Sequence, residues 1–280
     1  MTSGDTGEFD ADGGRIFWRT WLPEESTRAL VVLVHGVAEH SGRYEHVGKR
    51  LADNGFAVFA FDHLGHGRSA GSSANIGSMD ASADNILTLL DIASTKYPGL
   101  PRFVLGHSMG SLVTLYLATR QPVDVTGIAV SAPPLVIDAG NPLQRLLAPA
   151  LSRWTPKLGV LRLDSAQISR DPEVVSAYDR DPLVFRGKLP ARTGAEMLRA
   201  ADFALGHLDA LRVPTLVLHG GADALAAPVS ADRIESGAAT EDLTVHRYPE
   251  LFHEVFNEPE REQVLDDLVA WLREHTAVRP

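Results

Sequence analysis

Two stretches of the chain, Leu30-Val31-Val32-Leu33-Val34 and Phe56-Ala57-Val58-Phe59-Ala60-Phe61, are apolar at every position. A strand with one wet face alternates apolar and polar residues, so runs like these belong to strands covered on both faces. Such strands sit in mostly parallel sheets with helices on either side. The residues between and after them agree. Residues 44–54 read as a helix stopped by Gly55, and residues 80–97 place Ile86, Leu89, Leu90 and Ala93 on one helical stripe ended by Pro98-Gly99. Further strands are expected at residues 102–105, 127–131, 214–219 and 243–248, with a last helix over residues 260–274. Residues 15–22, stopped by Pro23, suit an antiparallel strand at the sheet edge after a flexible start.

The alternation breaks between the strands at 127 and 214. Roughly seventy residues there read as helical and strandless, far longer than an ordinary connection. The expected organisation is a single α/β domain with an inserted helical cap: core over residues 1–134, cap over 135–206, core again over 207–280. Asn141-Pro142 would open the first cap helix, in which Leu143, Leu146, Leu147, Ala150, Leu151 and Trp154 recur at helical spacing and Pro149 kinks the run. Residues 142–162 contain Arg145, Arg153, Lys157 and Arg162 and no acidic residue. A basic face beside an apolar stripe suits either contact with an anionic lipid surface or simple solvation of a helix packed on its own domain.

Composition removes several classes of function. The 280 residues carry a formal charge of −10, which opposes binding to nucleic acid, and the absence of cysteine excludes disulfides, thiolate metal sites and thiol nucleophiles. The first residues lack the basic start and apolar stretch of a secretion signal, and no apolar run approaches membrane-spanning length. The expectation is a soluble, cytoplasmic protein or one attached peripherally to a membrane. Nothing in the composition sets an oligomeric state.

Gly106-His107-Ser108-Met109-Gly110 fits G-x-S-x-G and lies between an apolar strand and a helical run beginning at Ser111. A strand, tight turn and helix in that order project the serine hydroxyl from a strained backbone, which makes Ser108 a candidate nucleophile. A hydroxyl needs a histidine to take its proton and an acid to hold that histidine's tautomer, in the chain order Ser, acid, His. His219 and His246 fall inside expected strands, His275 in the tail and His207 at the cap exit; His253, in the loop after the last strand, is the expected base. Asp223 follows the 214–219 strand through Gly220-Gly221-Ala222, at the sheet edge where α/β proteins bind ligands, and is the expected acid. Asp232 and Asp242 read as helix-surface and turn residues, and Glu250 and Glu254 lie too close to His253. The oxyanion formed on attack needs backbone donors, expected from Met109 N–H at the helix start and Val37 N–H in the loop after residues 30–34.

Two other patterns fail. Gly65-His66-Gly67-Arg68-Ser69-Ala70 matches G-x-G-x-x-A, yet Gly71-Ser72-Ser73 follows where a dinucleotide-binding helix should open. His35, His40, His46, His63 and His66 suggest a metal, but H-E-x-x-H is absent, since Asn257 stands four places after His253. No cofactor and no metal are expected. His107 reads as a neighbour that packs the turn, not as the base.

The motifs His35-Gly36-Val37-Ala38-Glu39-His40-Ser41-Gly42-Arg43-Tyr44, Asp62-His63-Leu64-Gly65-His66-Gly67-Arg68-Ser69, Tyr97-Pro98-Gly99-Leu100-Pro101 and Gly106-His107-Ser108-Met109-Gly110 together resemble monoacylglycerol lipases of the α/β-hydrolase fold. Asp179-Arg180-Asp181-Pro182-Leu183 and Phe252-His253-Glu254-Val255-Phe256-Asn257-Glu258 fit as well, the latter especially the bacterial and mycobacterial forms. The resemblance implies hydrolysis of monoacylglycerol to glycerol and fatty acid without a cofactor, through Ser108, Asp223 and His253 with Val37 and Met109 at the oxyanion. It also implies a polar, glycerol-side pocket at Glu39, Arg43 and Tyr178, and a lipid substrate met at a membrane through the cap. Mammalian members carry a second histidine three places after the catalytic one, where this chain has Phe256. The alternatives are a broader carboxylesterase or lysophospholipase on the same residues, and a non-catalytic lipid-binding domain of hydrolase shape.

Overall fold

The computed structural model describes residues 4–137 and 150–276. Strands β1 (Thr6–Ala11), β2 (Gly14–Trp21), β3 (Ala29–Val34), β4 (Phe56–Phe61), β5 (Arg102–His107) and β6 (Gly127–Ser131) come first. Among the described residues β7 (Gly159–Leu161) and β8 (Leu189–Pro190) pair only with each other, and β9 (Thr215–Gly220) and β10 (Leu243–Tyr248) complete the main sheet. That sheet has eight strands in the order β1-β2-β4-β3-β5-β6-β9-β10. β2 is antiparallel to β1 and to β4, and every pair from β4 to β10 is parallel.

Helices α1 (Glu45–Asp53), α2 (Met79–Lys96), α3 (Met109–Arg120), α4 (Pro172–Arg180), α5 (Ala191–Gly206), α6 (Val229–Gly237) and α7 (Arg261–Thr276) surround the sheet and build the insertion. Val31, Leu33, Val58 and Leu105 share a buried cluster with Val47 and Leu51 of α1 and Leu268 and Leu272 of α7. Val32, Val34, Phe59, Phe61 and Val104 join Ile86 of α2, Leu112 of α3 and Ile234 of α6 in another. Consecutive strand residues therefore enter opposite cores, which is why both apolar runs tolerate no polar position.

Two expectations need correction. The start of the chain is not merely flexible: β1 pairs with β2 across Asp12-Gly13, with Gly13 at φ +95°. Asp-Gly between two runs of strand composition is a hairpin signal. The insertion is not strandless either, because Gly159 and Leu161 pair with Pro190 and Leu189. A helical end at residues 150–154, a 3-10 turn at Ser165–Gln167, α4 and α5 make up most of the rest. α5 is seated on the core through Ala200, Ala201 and Ala204, small residues that allow close approach to α3. Asn141-Pro142, the apolar stripe from Leu143 to Leu147, Arg145 and Pro149 lie outside the described residues. Among the described residues no helix is long and apolar enough to cross a membrane.

The turn from β5 into α3 is tightly built. Ser108 adopts φ 50°, ψ −118°, a conformation unfavourable for a residue with a Cβ. It is held by its own N–H on the Ser131 carbonyl at 2.9 Å. Ser111 Oγ adds to this, lying 2.8 Å from the Gly106 and Ser131 carbonyls and accepting the Ser131 N–H at 2.9 Å. Both glycines of the motif are sterically required. A Cβ on Gly110 would stand 2.0 Å from the Val34 carbonyl oxygen, and one on Gly106 would stand 2.6 Å from the Gly110 backbone. Gly110→Ala is therefore expected to cost about 3 kcal/mol or more, because the obstruction is backbone that cannot move aside. Gly99→Ala, at φ +76° but in open space, should cost only about 1 kcal/mol. Urea denaturation of both variants checks this, and equal midpoints would refute it.

Candidate active site

The parallel strands β5, β9 and β10 end on one edge of the sheet, and the residues that follow them there are Ser108, Asp223 and His253. Gly220 and Gly221 carry the chain from β9 tightly past the loop that follows β10: a Cβ on Gly220 would meet the Phe252 carbonyl oxygen at 2.2 Å. This close crossing brings His253 Nδ1 to 2.8 Å from Asp223 Oδ2. A carboxylate only accepts, so the proton is on Nδ1 and Nε2 is left as the basic atom. Asp223 Oδ1 accepts the Leu225 and Ala226 N–H groups at 2.8 and 2.9 Å, which fixes the carboxylate plane. Burial pushes its proton affinity up, but hydrogen bonds from His219 and His253 outweigh that and hold Asp223 well below the usual carboxylate range. His219 Nε2 lies 3.3 Å from Asp223 Oδ2, a contact that its place in a strand did not reveal.

Ser108 is buried, and the His107 ring is 5.0 Å from that of His253. His107 itself is engaged elsewhere, with Nδ1 at 3.2 Å from Ser131 Oγ. Burial, followed by the neighbouring His253, pushes its imidazole down to about 3. It is a neutral packing residue of the turn.

The loop after β3 lies directly against the serine. A Cβ on Gly36 would be 3.2 Å from the Ser108 Cβ, so Val37 begins beside the nucleophile. Met109 is the first residue of α3, where helical N–H groups have no partner within the helix. The two expected oxyanion donors thus come from adjacent strands, β3 and β5, on the same edge of the sheet.

Glu39, Arg43 and Tyr178 do come together. Arg43 Nη1 donates to Glu39 Oε2 at 2.7 Å, and the Arg43 guanidinium lies 4.7 Å from the centre of the Tyr178 ring on α4. Their strongest partner is one the sequence reading set aside: Glu254 takes two hydrogen bonds from Arg43, at 2.6 and 2.7 Å. Burial pushes both carboxyls up, and the Arg43 charge overcomes it at Glu254 but not at Glu39. Glu39 Oε1 accepts the Gly36 N–H at 2.7 Å and the Tyr44 hydroxyl at 2.6 Å. Position alone could have flagged Glu254, a carboxylate directly after the expected base. Phe256 is buried in the core and supplies no polar group. A cavity of about 350 Å³ opens beside Ala38, lined by Leu163, Tyr178, Phe185, Arg186 and Leu189 among others.

Among the described residues no group of three or more His, Asp or Glu is arranged to hold a metal ion. His35, His63 and His66 are close, with ring centroids 4.6 to 6.1 Å apart, but their bonded ring nitrogens face backbone groups.

A family model described as serine aminopeptidase, S33, matches residues 25–260. A monoacylglycerol lipase of Mycolicibacterium smegmatis is 40% identical over 265 residues, covering 94% of each chain. A human monoglyceride lipase is 33% identical over 272 residues, covering 96% of this chain and 90% of the other. The crystal structure of a monoacylglycerol lipase from Paleococcus ferrophilus superposes with a TM-score of 0.83 at 30% identity, over 98% of this chain and all of that one.

The neutral His107 makes the fold sensitive to acid. An unfolded histidine titrates near 6.5, whereas this one holds out to about 3. Between those values the unfolded chain binds a proton that the native state refuses, so stability falls as pH drops, by up to about 1.4 kcal/mol per pH unit from this group. His107→Asn should reduce the slope of unfolding free energy against pH by about that amount between pH 6 and 4, read by urea titration at each pH. An unchanged slope would mean that folded His107 takes up its proton in the ordinary range.

Proposed function

Since the chain belongs to the serine aminopeptidase S33 family of α/β-hydrolases and is closely related to the monoacylglycerol lipases, we propose that it hydrolyses monoacylglycerol to glycerol and a fatty acid. The broader class is a serine hydrolase acting on esters. The observation that carries the chemistry is the 2.8 Å bond from His253 Nδ1 to Asp223, on the sheet edge where the turn presents Ser108. Near full-length kinship to lipases of this substrate class supports the choice of ester.

In this reading Ser108 Oγ attacks the ester carbonyl as His253 Nε2 takes its proton. Asp223 keeps the imidazole in the tautomer that can do so and stabilises the imidazolium. The oxyanion is met by the Val37 and Met109 N–H groups, the latter at the positive end of α3. Collapse of the tetrahedral intermediate expels the glycerol oxygen, which takes the proton back from His253. A water deprotonated by His253 then releases the fatty acid from Ser108. Glu39, Arg43 and Tyr178 form the polar wall on the alcohol side.

Ser108→Ala and Asp223→Asn should each lower kcat by about a thousandfold or more, while Asp232→Asn stays near wild type. Asp232 is on α6 and its carboxylate bonds Arg247 at the surface. In a panel of monoacylglycerol, diacylglycerol, lysophospholipid and short simple esters, kcat/KM should be highest for monoacylglycerol by about tenfold. A panel led by lysophospholipid or by short esters gives the broader esterase reading instead. A wild-type protein whose Ser108 takes no fluorophosphonate label would leave only the non-catalytic one.

The cap supplies a surface suited to the lipid. Trp154 is 77% exposed and Leu158, Val160 and Leu161 are about half exposed, an unusual run of uncovered apolar side chains beside Arg153, Lys157 and Arg162. We propose that this segment docks on anionic lipid, Arg145 lying outside the described residues. Replacing Arg153, Lys157 and Arg162 together by Glu should weaken sedimentation with phosphatidylserine vesicles by about a hundredfold or more, since loss of each basic residue near such a surface alone forfeits about 1 kcal/mol. Unchanged sedimentation would remove the surface from the account.

A further inference from the structure

With the Val37 N–H as an oxyanion donor, a single donor of that kind is worth about a hundredfold or more in kcat. Its direction is set by the Gly36–Val37 peptide unit. No cis peptide bond is present among the described residues, so the Gly36 carbonyl and the Val37 N–H point in opposite directions from one rigid plane. Whatever holds the carbonyl aims the amide.

The group that holds it is the side chain of His35. Nδ1 lies 2.7 Å from the Gly36 oxygen, and a carbonyl only accepts, so the proton is on Nδ1. Nε2 lies 2.9 Å from the backbone nitrogen of His63, which only donates, so Nε2 carries a lone pair. Two separate contacts demand the same neutral tautomer. His35 is fully buried, and burial followed by the charge of His66 keeps it well below the ordinary histidine range, so it stays neutral. On the other side of Gly36, the N–H is held by Glu39 Oε1 at 2.7 Å. The loop needs such restraint. The next residue but one, Ala38, sits at φ 69°, and its carbonyl accepts the Phe185 N–H of the cap at 2.8 Å.

We propose that His35 is a positioning residue that orients the Val37 N–H toward the oxyanion by donating Nδ1–H to the Gly36 carbonyl. The inference rests on the serine-hydrolase reading and on Val37 as a donor.

Two amide substitutions separate the two ring nitrogens. The side-chain amide of His35→Asn reaches where Nδ1 stands and can still donate to Gly36. That of His35→Gln reaches where Nε2 stands, keeps an acceptor for the His63 N–H and loses the donor. With p-nitrophenyl butyrate, the Gln variant should lose about 10- to 100-fold in kcat with KM within about threefold, and its affinity for a trifluoromethyl ketone should fall by the same factor as kcat. The Asn variant should recover to within about fivefold of wild type. A Gln variant with wild-type kcat, or Asn and Gln variants falling equally, overturns the proposal. Should the Gln variant not fold, the ¹⁵N shifts of His35 in the wild-type protein decide the matter: protonation at Nδ1 with a bare Nε2 is required, and the opposite tautomer refutes it. Absence of fluorophosphonate labelling in the wild type would instead remove the serine-hydrolase reading, a separate failure.

Discussion

A serine held at φ 50° cannot stay there on local preference alone, and the rest of the sheet edge follows from what keeps it there. α3 leaves the turn so closely packed on β3 that no side chain fits at Gly110 beside the Val34 carbonyl. The last residue of β3 and the first turn of α3 are therefore in contact, and the loop that begins at His35 has nowhere to go except over Ser108. The loop carrying Val37 and the turn carrying Ser108 are brought together by strand order, β3 beside β5, before any side chain takes part. β6 contributes the Ser131 backbone that clamps the turn, and the loops after β9 and β10 deliver Asp223 and His253 from the far side.

The second organising feature is electrostatic. Arg43 carries one buried positive charge between two buried carboxylates, and each carboxylate touches the machinery at a different point. Glu39 restrains the Gly36 N–H in the oxyanion loop, and Glu254 is covalently next to His253. Burying three charged groups to form such a cluster adds little to stability, because desolvation offsets most of the attraction. Its consequence is geometric: one guanidinium fixes the distance between the loop carrying Val37 and the loop carrying His253.

Much of this was legible in the residues. Unbroken apolar runs gave the central strands, and chain order, with the histidines left outside strands, singled out Asp223 and His253, which the fold holds 2.8 Å apart. What escaped did so for physical reasons. β1 exposes alternate residues and buries little beyond part of Phe9, so its hydrophobic signal is weak and only Asp12-Gly13 announces it. β7 and β8 are two to three residues long, below any periodicity. Arg43 and Glu254 are 211 positions apart, and no local rule pairs them. His219 was read by its strand, but the last residues of a strand at the reactive edge point into the site as readily as the loop beyond, and it meets Asp223 four residues later.

The cap is anchored at residues adjacent to Val37 and His253. Phe185 N–H bonds the carbonyl of Ala38, one residue after Val37, and the Ile168 carbonyl accepts the N–H of Glu254, one residue after His253. Tyr178 lies over Arg43, and His40 Nε2 is 2.9 Å from Asp181 at the end of α4. Arg170 holds the buried Glu258 by both its backbone and its guanidinium, at 2.6 Å each. A displacement of residues 168–185 would therefore pull on the loop after β3 and the loop after β10 together, while the turn at Ser108 keeps its own bonds to the Ser131 backbone and Ser111 Oγ. Residues 38, 168, 185 and 254 are where the insertion is tied by backbone hydrogen bonds to the loop after β3 and the loop after β10.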